Sequence, residues 1–212
     1  MTSPVTVENP LFARIWTFMA GHETDWLKDR RRENVQGLRG RVLEVGAGVG
    51  SNFAFYPDSV TQVVAAEPEP RLREAAGQAA AVAAVPITVV PSTVEALDCG
   101  EPFDAVVCSL VLCSVAQPTE VLGQLFGLLK PGGELRYFEH VATTGARGGL
   151  QRLADATLWP RLFGNCHTHR DTEQMIRAAG FDIASSRSGY QFPAWAPVPV
   201  SKFVLGTAHR PA

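Results

Sequence analysis

The sequence predicts an α/β protein whose doubly wound, mostly parallel sheet carries helices on both faces. Three observations lead there. Val42, Leu43 and Val45 form a short apolar run that ends in Gly46, Gly48 and Gly50, the pattern of a buried strand entering a tight turn. Between residues 41 and 141, β-rich and helical stretches alternate five times, as crossover connections between parallel strands require. Helix stops such as Lys130-Pro-Gly-Gly133 separate them.

Length and composition narrow the classes. The 212 residues fit one domain with a sizeable core, and the absence of repeats or low-complexity linkers argues against a second. Hydrophobic residues at 46% and charged ones at 19% suit a globular protein in water. A net charge of −2 gives no general attraction to nucleic acid, so none is expected as a partner. No apolar run approaches the ~18–20 residues of a membrane span, and Met1-Thr-Ser-Pro-Val-Thr-Val-Glu8 lacks the regions of a signal peptide. Cys99, Cys108, Cys113 and Cys166 contain no C-x-x-C pair and read as reduced thiols of a cytoplasmic protein.

Along the chain, Phe12, Ile15, Trp16 and Met19 fall on one helical face, and a charged helix follows from Thr24 to Val35 with Arg30-Arg-Arg32. These helices read either as a cover with a solvated basic side or as a lid, its arginines outside or near a membrane surface. After the glycines, Ser51 to Tyr56 can open a helix whose free N–H groups face a ligand. Strands are expected at 60–66, 87–90, 103–108 and 134–140, with helices at 71–84 and 121–129 between them. Beyond lie helices at 150–162 and 171–179, then sixth and seventh strands at 181–187 and 200–206. The loop Tyr190-Gln-Phe-Pro-Ala-Trp195 is either a covering loop or a hydrophobic wall for a small substrate.

The glycine spacing separates two ligand classes. A dinucleotide fingerprint needs G-x-G-x-x-G, but Ser51 occupies the third glycine's place, which disfavours a nicotinamide-linked oxidoreductase. Glu44, just before the turn, suits a cationic amino group. Glu67 follows the second strand ~20 residues beyond the loop, placed to accept both ribose hydroxyls of a nucleoside, or to cap the next helix. Glu69 reads as first-turn acid of that helix, and the loop 91–97 can meet an adenine.

The pattern E-x-G-x-G-x-G resembles the first motif of class I S-adenosylmethionine-dependent methyltransferases. "AAEPEP", "STVEAL", "FDAVVCSLVLCSV" and "LLKPGGELRYFEHV" continue the resemblance in order across most of residues 41–141. It implies a Rossmann-like seven-stranded sheet with an antiparallel last strand, formed by a hairpin at the sheet edge, and N-terminal helices as cover. It also implies S-adenosylmethionine as cofactor and S-adenosylhomocysteine as product. The residues then placed around the cofactor are Glu44, Gly46, Ala47, Gly48, Gly50, Asn52, Glu67, Pro68, Thr93, Val94, Ser109 and Leu110. The single domain divides into a cover (1–40), a cofactor core (41–141) and a substrate side (142–212). More narrowly, "VVCSLVLCSV", "FEHV" and "NCHTHRDTEQMIRAAGF" resemble the alkyl-thiol S-methyltransferase (methyltransferase-like 7) branch, although its mammalian members' long hydrophobic N-terminal anchor has no counterpart here. That likeness puts Trp16, Cys113, His140, His167 and Arg170 on the acceptor side.

Methyl transfer from a sulfonium is an in-line displacement, so the protein must align two reactants and dispose of one proton. It requires no metal and no covalent nucleophile. His140, ending the fifth strand, is the candidate general base or acceptor-orienting group; the plainer role is a strand cap. A thiol of pKa ~8.5 needs only modest help to ionise. Cys166-His-Thr-His169 carries zinc-type ligands, but a structural site needs four and no second cluster stands at a suitable spacing, so no metal is expected. Cys108 and Cys113 read as buried small hydrophobes. These residues favour a methyltransferase acting on a small, fairly apolar acceptor, a thiol by preference. N- or O-methylation of a small metabolite, and a catalytically idle S-adenosylmethionine-binding module, stand beside that reading.

Overall fold

The computed structural model describes residues 6–97, 100–193 and 195–212. Cys99, the first five residues and Ala194 of the aromatic loop lie outside the described residues. The strands are β1 (Gly40–Val45), β2 (Val60–Ala66), β3 (Ile87–Val90), β4 (Phe103–Ser109), β5 (Leu129–His140), β6 (Asp182–Tyr190) and β7 (Lys202–His209). The helices are α1 (Pro10–Gly21), α2 (Asp25–Val35), α3 (Pro70–Ala81), α4 (Pro118–Leu128), α5 (Gly145–Asp155), α6 (Trp159–Leu162) and α7 (Thr172–Ala178). Side chains of Asn9, Thr24, Glu69 and Asp171 accept N–H bonds at the starts of α1, α2, α3 and α7. Such caps contribute ~1 kcal/mol each.

All seven strands form one sheet in the order β3-β2-β1-β4-β5-β7-β6. β1 to β5 pair in parallel, and β7 runs antiparallel to both β5 and β6. Successive residues of a strand face opposite sides. Leu43 and Val45 therefore join Leu112, Leu122, Leu125, Leu135 and Ile176 on one face, and Val42 joins Val35, Leu38, Phe53, Val63 and Val107 on the other. Both faces are covered, as a parallel sheet needs. Among the described residues no helix is long and apolar enough to cross a membrane.

Three local expectations are corrected. The glycine turn leads into a single 3-10 turn, Phe53–Phe55, not a helix. Pro57 explains this: Tyr56 before it is extended (φ −62°, ψ 130°), as proline imposes on its predecessor. The helix expected at 150–162 is two helices, α5 and α6, with Pro160 in the first turn of the second, where a missing N–H costs nothing. Lys130–Gly133 belongs to β5 and not to a turn before it. Gly132 at φ +76° donates to the Arg210 carbonyl, and the Arg210 N–H returns a bond to Gly133.

The N-terminal cover also differs from expectation. On α1, Phe12, Ile15 and Trp16 are half-buried, but Met19 is exposed. On α2, the central arginine of the basic run points inward, with Arg31 only 3% exposed.

Candidate cofactor and acceptor site

The chain reverses its direction of winding between β1 and β4, and open α/β sheets bind ligands at the carboxyl ends of strands flanking such a switch. The glycine turn follows β1 there and Ser109 ends β4; the register aligns Val45 with both Ala66 of β2 and Cys108 of β4. Gly46 and Gly48 have φ +61° and +59°, a left-handed conformation that glycine adopts without strain.

Two carboxylates lie beneath this turn. Glu67 Oε2 accepts the Gly48 N–H at 2.8 Å and its Oε1 the Glu69 N–H at 2.9 Å. Glu44 accepts from Asn52 Nδ2 at 2.9 Å and from the Tyr56 hydroxyl at 2.6 Å. Burial raises each carboxyl's pKa to about 7, against the opposing pull of those hydrogen bonds. Asn52 also donates to Ser109 Oγ, which receives a second bond from Asn34, both at 3.1 Å. Arg31 donates to Asn52 Oδ1 at 3.2 Å and forks onto Glu23 at 2.6–3.1 Å.

Of the other residues expected around a cofactor, Ala47 is buried within the turn, and a Cβ on Gly50 would press on Phe53. Pro68 follows Glu67, and its carbonyl accepts from Arg73 at 3.1 Å. Thr93 begins the short turn after β3, and Val94 packs into the core below it. Leu110 holds φ +60°, rare for a non-glycine residue, and donates its N–H to Phe138 of β5 at 2.8 Å. Trp16 stands against the glycine turn: a Cβ on Gly48 would lie 2.7 Å from its Nε1.

The acceptor-side residues gather at the ends of β4 and β5. Glu139 accepts the Val111 and Leu112 N–H groups at 2.9 and 3.0 Å and fixes the turn that carries Cys113. Segment 165–170 is laced to that turn. His167 N donates to the Cys113 carbonyl at 2.9 Å, Asn165 to the Ser114 carbonyl at 2.8 Å, and Arg170 to the Leu112 and Val115 carbonyls at 2.7 and 2.8 Å. The His167 ring itself is half-buried. His140 is buried, with Nε2 3.1 Å from Cys166 Sγ and Nδ1 without a partner among the described residues. Burial alone would lower the imidazole pKa, but Cys113 and Glu139 beside it turn the net shift upward. The Cys113 thiol lowers the pKa of Cys166 through their hydrogen bond and is itself raised by it. Cys108, Cys113 and Cys166 are free and buried.

Among the described residues of the aromatic loop, Tyr190 and Trp195 are exposed and Phe192 is half-buried. Trp195 is 83% exposed, and Tyr190 lines a cleft of about 330 Å³ whose other walls include Thr143, Thr144, Arg147 and Lys202.

Sequence reasoning missed the inner polar layer of Glu23, Arg31, Asn34 and Tyr56. It also missed Gln151, whose buried amide nitrogen lies 2.9–3.0 Å from the carbonyl oxygens of Val141, Thr168 and Pro199 and shares its two hydrogens among them. The signal for Arg31 was helical spacing, since it shares a face with Asn34 and Val35.

A family profile described as "Methyltransferase domain" matches residues 19–186. The chain belongs to the class I S-adenosylmethionine-dependent methyltransferases. Its curated relatives include the thiol S-methyltransferase TMT1B of Mus musculus, 33% identical over 83% of this chain and 74% of that protein. The Homo sapiens TMT1B is 30% identical over 86% and 79%. Among solved structures, a Bacillus halodurans protein assigned as a methyltransferase superposes with TM-score 0.71 at 14% identity, over 89% of this methyltransferase and all of that chain. That last likeness speaks for the fold alone. The methyl donor is S-adenosylmethionine, and the residues fit it. Glycines without Cβ line the turn, and two buried carboxylates beneath it match a ligand with a cationic amino group and ribose hydroxyls.

Proposed function

We propose that this methyltransferase methylates the sulfur of a small, fairly apolar thiol. The observation that carries the acceptor reading is the buried group of His140 with Cys113 and Cys166 beside the switch point, a wall of soft, polarisable atoms. Likeness to thiol S-methyltransferases over most of the chain supports it.

In this reading S-adenosylmethionine, when bound, supplies a methyl group already activated on sulfonium. Glu44 places negative charge beneath the amino group, Glu67 receives the ribose hydroxyls, and the glycine turn with Asn52 and Ser109 shapes the bed. Residues 91–97 border the adenine. His140 orients the acceptor sulfur and favours its ionised form, with His167 and Arg170 closing that side. Trp16 and the rest of residues 1–40 cover the cofactor core of residues 41–141, and residues 142–212 supply the substrate side. Three buried free thiols support a reducing, cytoplasmic setting, and the net charge of −2 supports a small-molecule partner over nucleic acid.

The test is a matched panel of small thiols, amines and phenols assayed for S-adenosylhomocysteine release. Thiols should turn over fastest by at least ~10-fold, within reach of one discriminating contact. A preference for amines or phenols would replace S-methylation with N- or O-methylation, and no turnover with any member would leave a binding module.

A further inference from the structure

Cys113, His140 and Cys166 come from three separate segments, yet their ligand atoms all lie within 4.8 Å of one another. Two sulfurs and one imidazole nitrogen form the donor set preferred by soft-to-borderline divalent ions. Around one tetrahedral zinc, with sulfur at ~2.3 Å and nitrogen at ~2.0–2.1 Å, such donors stand roughly 3.5–3.8 Å apart. The cluster needs only small adjustments to reach that spacing.

The frame is built before any ion arrives. His140 ends a strand held between β4 and β7. The Cys113 turn is fixed by Glu139 and Arg170, and the Cys166 segment is tied to the Cys113 carbonyl. Ligands locked by their surroundings make a site and not a chance encounter. Arg170 also brings positive charge toward both sulfurs. No fourth Cys, His, Asp or Glu joins the group among the described residues. Three protein ligands with one open position is the pattern of a catalytic zinc site, whereas structural sites close all four.

We propose that Cys113 Sγ, Cys166 Sγ and His140 Nε2 bind one thiophilic divalent ion of the zinc type, whose fourth position takes the acceptor's sulfur. The open position rests on the thiol reading above; the ion site does not. When the ion binds, Cys113 and Cys166 each give up the S–H proton to solvent as their sulfur–metal bonds form. When the acceptor coordinates, its sulfur displaces a water from the fourth position, its S–H proton leaves to solvent, and no electrons change hands. The acceptor is thereby held ionised below its own pKa, since a coordinating thiol is deprotonated outright. A phenol or amine gains less from a thiophilic ion, so the site explains a thiol preference. His140 then serves as a ligand and not as the proton acceptor.

The experiment uses the full chain purified without chelator. Metal analysis should find about one zinc per chain, and after chelation cobalt(II) should bind with the same stoichiometry. The cobalt form should show sulfur-to-cobalt charge transfer in the near ultraviolet and the intense visible bands of tetrahedral coordination. The double variant Cys113→Ser, Cys166→Ser should lose the charge-transfer bands. His140→Gln, which keeps both sulfurs, should retain them but bind cobalt at least ~10-fold more weakly, as loss of one ligand implies. Should the double variant fail to give a native melting transition, Cys166→Ser alone, with halved sulfur-to-cobalt intensity, carries the test. A small thiol should shift the visible bands, and an alcohol of the same shape should not. Absence of stoichiometric metal together with no cobalt spectrum overturns the proposal. Cobalt bands indifferent to thiols overturn the open fourth position. Full-rate thiol methylation by the metal-free chain overturns the ion's role and leaves the acceptor reading intact. A thiol-responsive cobalt site on a chain that methylates no thiol upholds the ion site and sinks the proposed function.

Discussion

The two ends of the site are finished differently. At the cofactor end both oxygens of Glu44 and of Glu67 are taken by groups of the chain itself. At the acceptor end the neighbours Glu139 and His140 each keep one buried polar atom without a partner among the described residues. A buried unsatisfied polar atom costs ~1–3 kcal/mol, so it is tolerated chiefly where something else completes it. The two carboxylates of the cofactor end are thus held by the chain itself, although Asn34 Oδ1 beside them is also without a partner among the described residues, while at the acceptor end a carboxylate oxygen and an imidazole nitrogen are both left unengaged.

The largest test of that contrast concerns the support beneath the cofactor end. Arg31 and Glu23 form a pair whose side chains are 3% and 9% exposed. Truncating one member of a buried pair strands the other, so Arg31→Met should cost ~3–5 kcal/mol in denaturant unfolding. The double variant Arg31→Met, Glu23→Leu should recover much of that loss. A cost below ~1 kcal/mol would put the pair on a par with a surface one and weaken the view of a self-sufficient scaffold.

Glu67→Ala should weaken S-adenosylhomocysteine binding by about 1.5–3 kcal/mol, roughly 10–150-fold, the scale of hydrogen bonds to a charged group. Titration calorimetry on the folded variant measures it. An unchanged dissociation constant would remove Glu67 from the ribose.

Next in size is a pH effect. Glu44 and Glu67 carry a pKa of about 7 in the folded chain against 4.5 as the unperturbed value. Because the folded value is the higher one, the folded state holds more protons between these limits, and stability falls as pH rises from 4.5 through 7. Glu44→Gln should flatten that slope, as read from denaturant midpoints across the window. Cofactor binding should release protons near neutral pH, visible as a dependence of binding heat on buffer ionisation enthalpy. A slope of opposite sign would mean the carboxylates are ionised at little cost.

The smallest effect belongs to Trp16, whose indole stands on Gly48. Trp16→Ala should raise the association rate of S-adenosylhomocysteine a few-fold, within the narrow range over which on-rates vary among variants. Stopped-flow fluorescence of the remaining tryptophans can follow it, and an unaltered rate would show that the indole is no obstacle.

The same contrast governs what the sequence made legible. The cofactor end is assembled from near neighbours: Glu44 meets Asn52 eight residues away, and Glu67 meets Gly48 nineteen away. Local patterns therefore reveal it, and the limits of β2 and β3 fall where the β-rich runs at 60–66 and 87–90 put them. The acceptor end joins Cys113, His140 and Cys166, with His140 and Cys166 26 residues apart. No spacing rule links them, because crossover connections and strand order bring them together. Zinc-ligand spacing along the chain around Cys166 is therefore no guide, because its neighbours Cys113 and His140 come from across the fold. Arg31 is hidden in the sequence for another reason. A run of three arginines looks like a solvated face until helical periodicity is traced back from Val35, and the Glu23 that compensates it lies outside the helix. Two prolines are local signals of the same kind: Pro57 bars a helix after the glycine turn, and Pro160 opens a second helix inside 150–162.

The placement of β7 between β5 and β6 has a consequence for synthesis. β6 pairs with β7 alone, and β7 alone covers the outer edge of β5. While the chain leaves the ribosome, at ~5–20 residues per second with earlier segments organising first, β6 emerges without a partner and β5 keeps a bare row of N–H and C=O groups. The edge that will flank His140 stays open until residues 202–209 arrive to fill it. That interval is when the nascent chain is most exposed to edge-to-edge pairing with another copy, and it closes by insertion of a late strand into a gap between two strands made earlier.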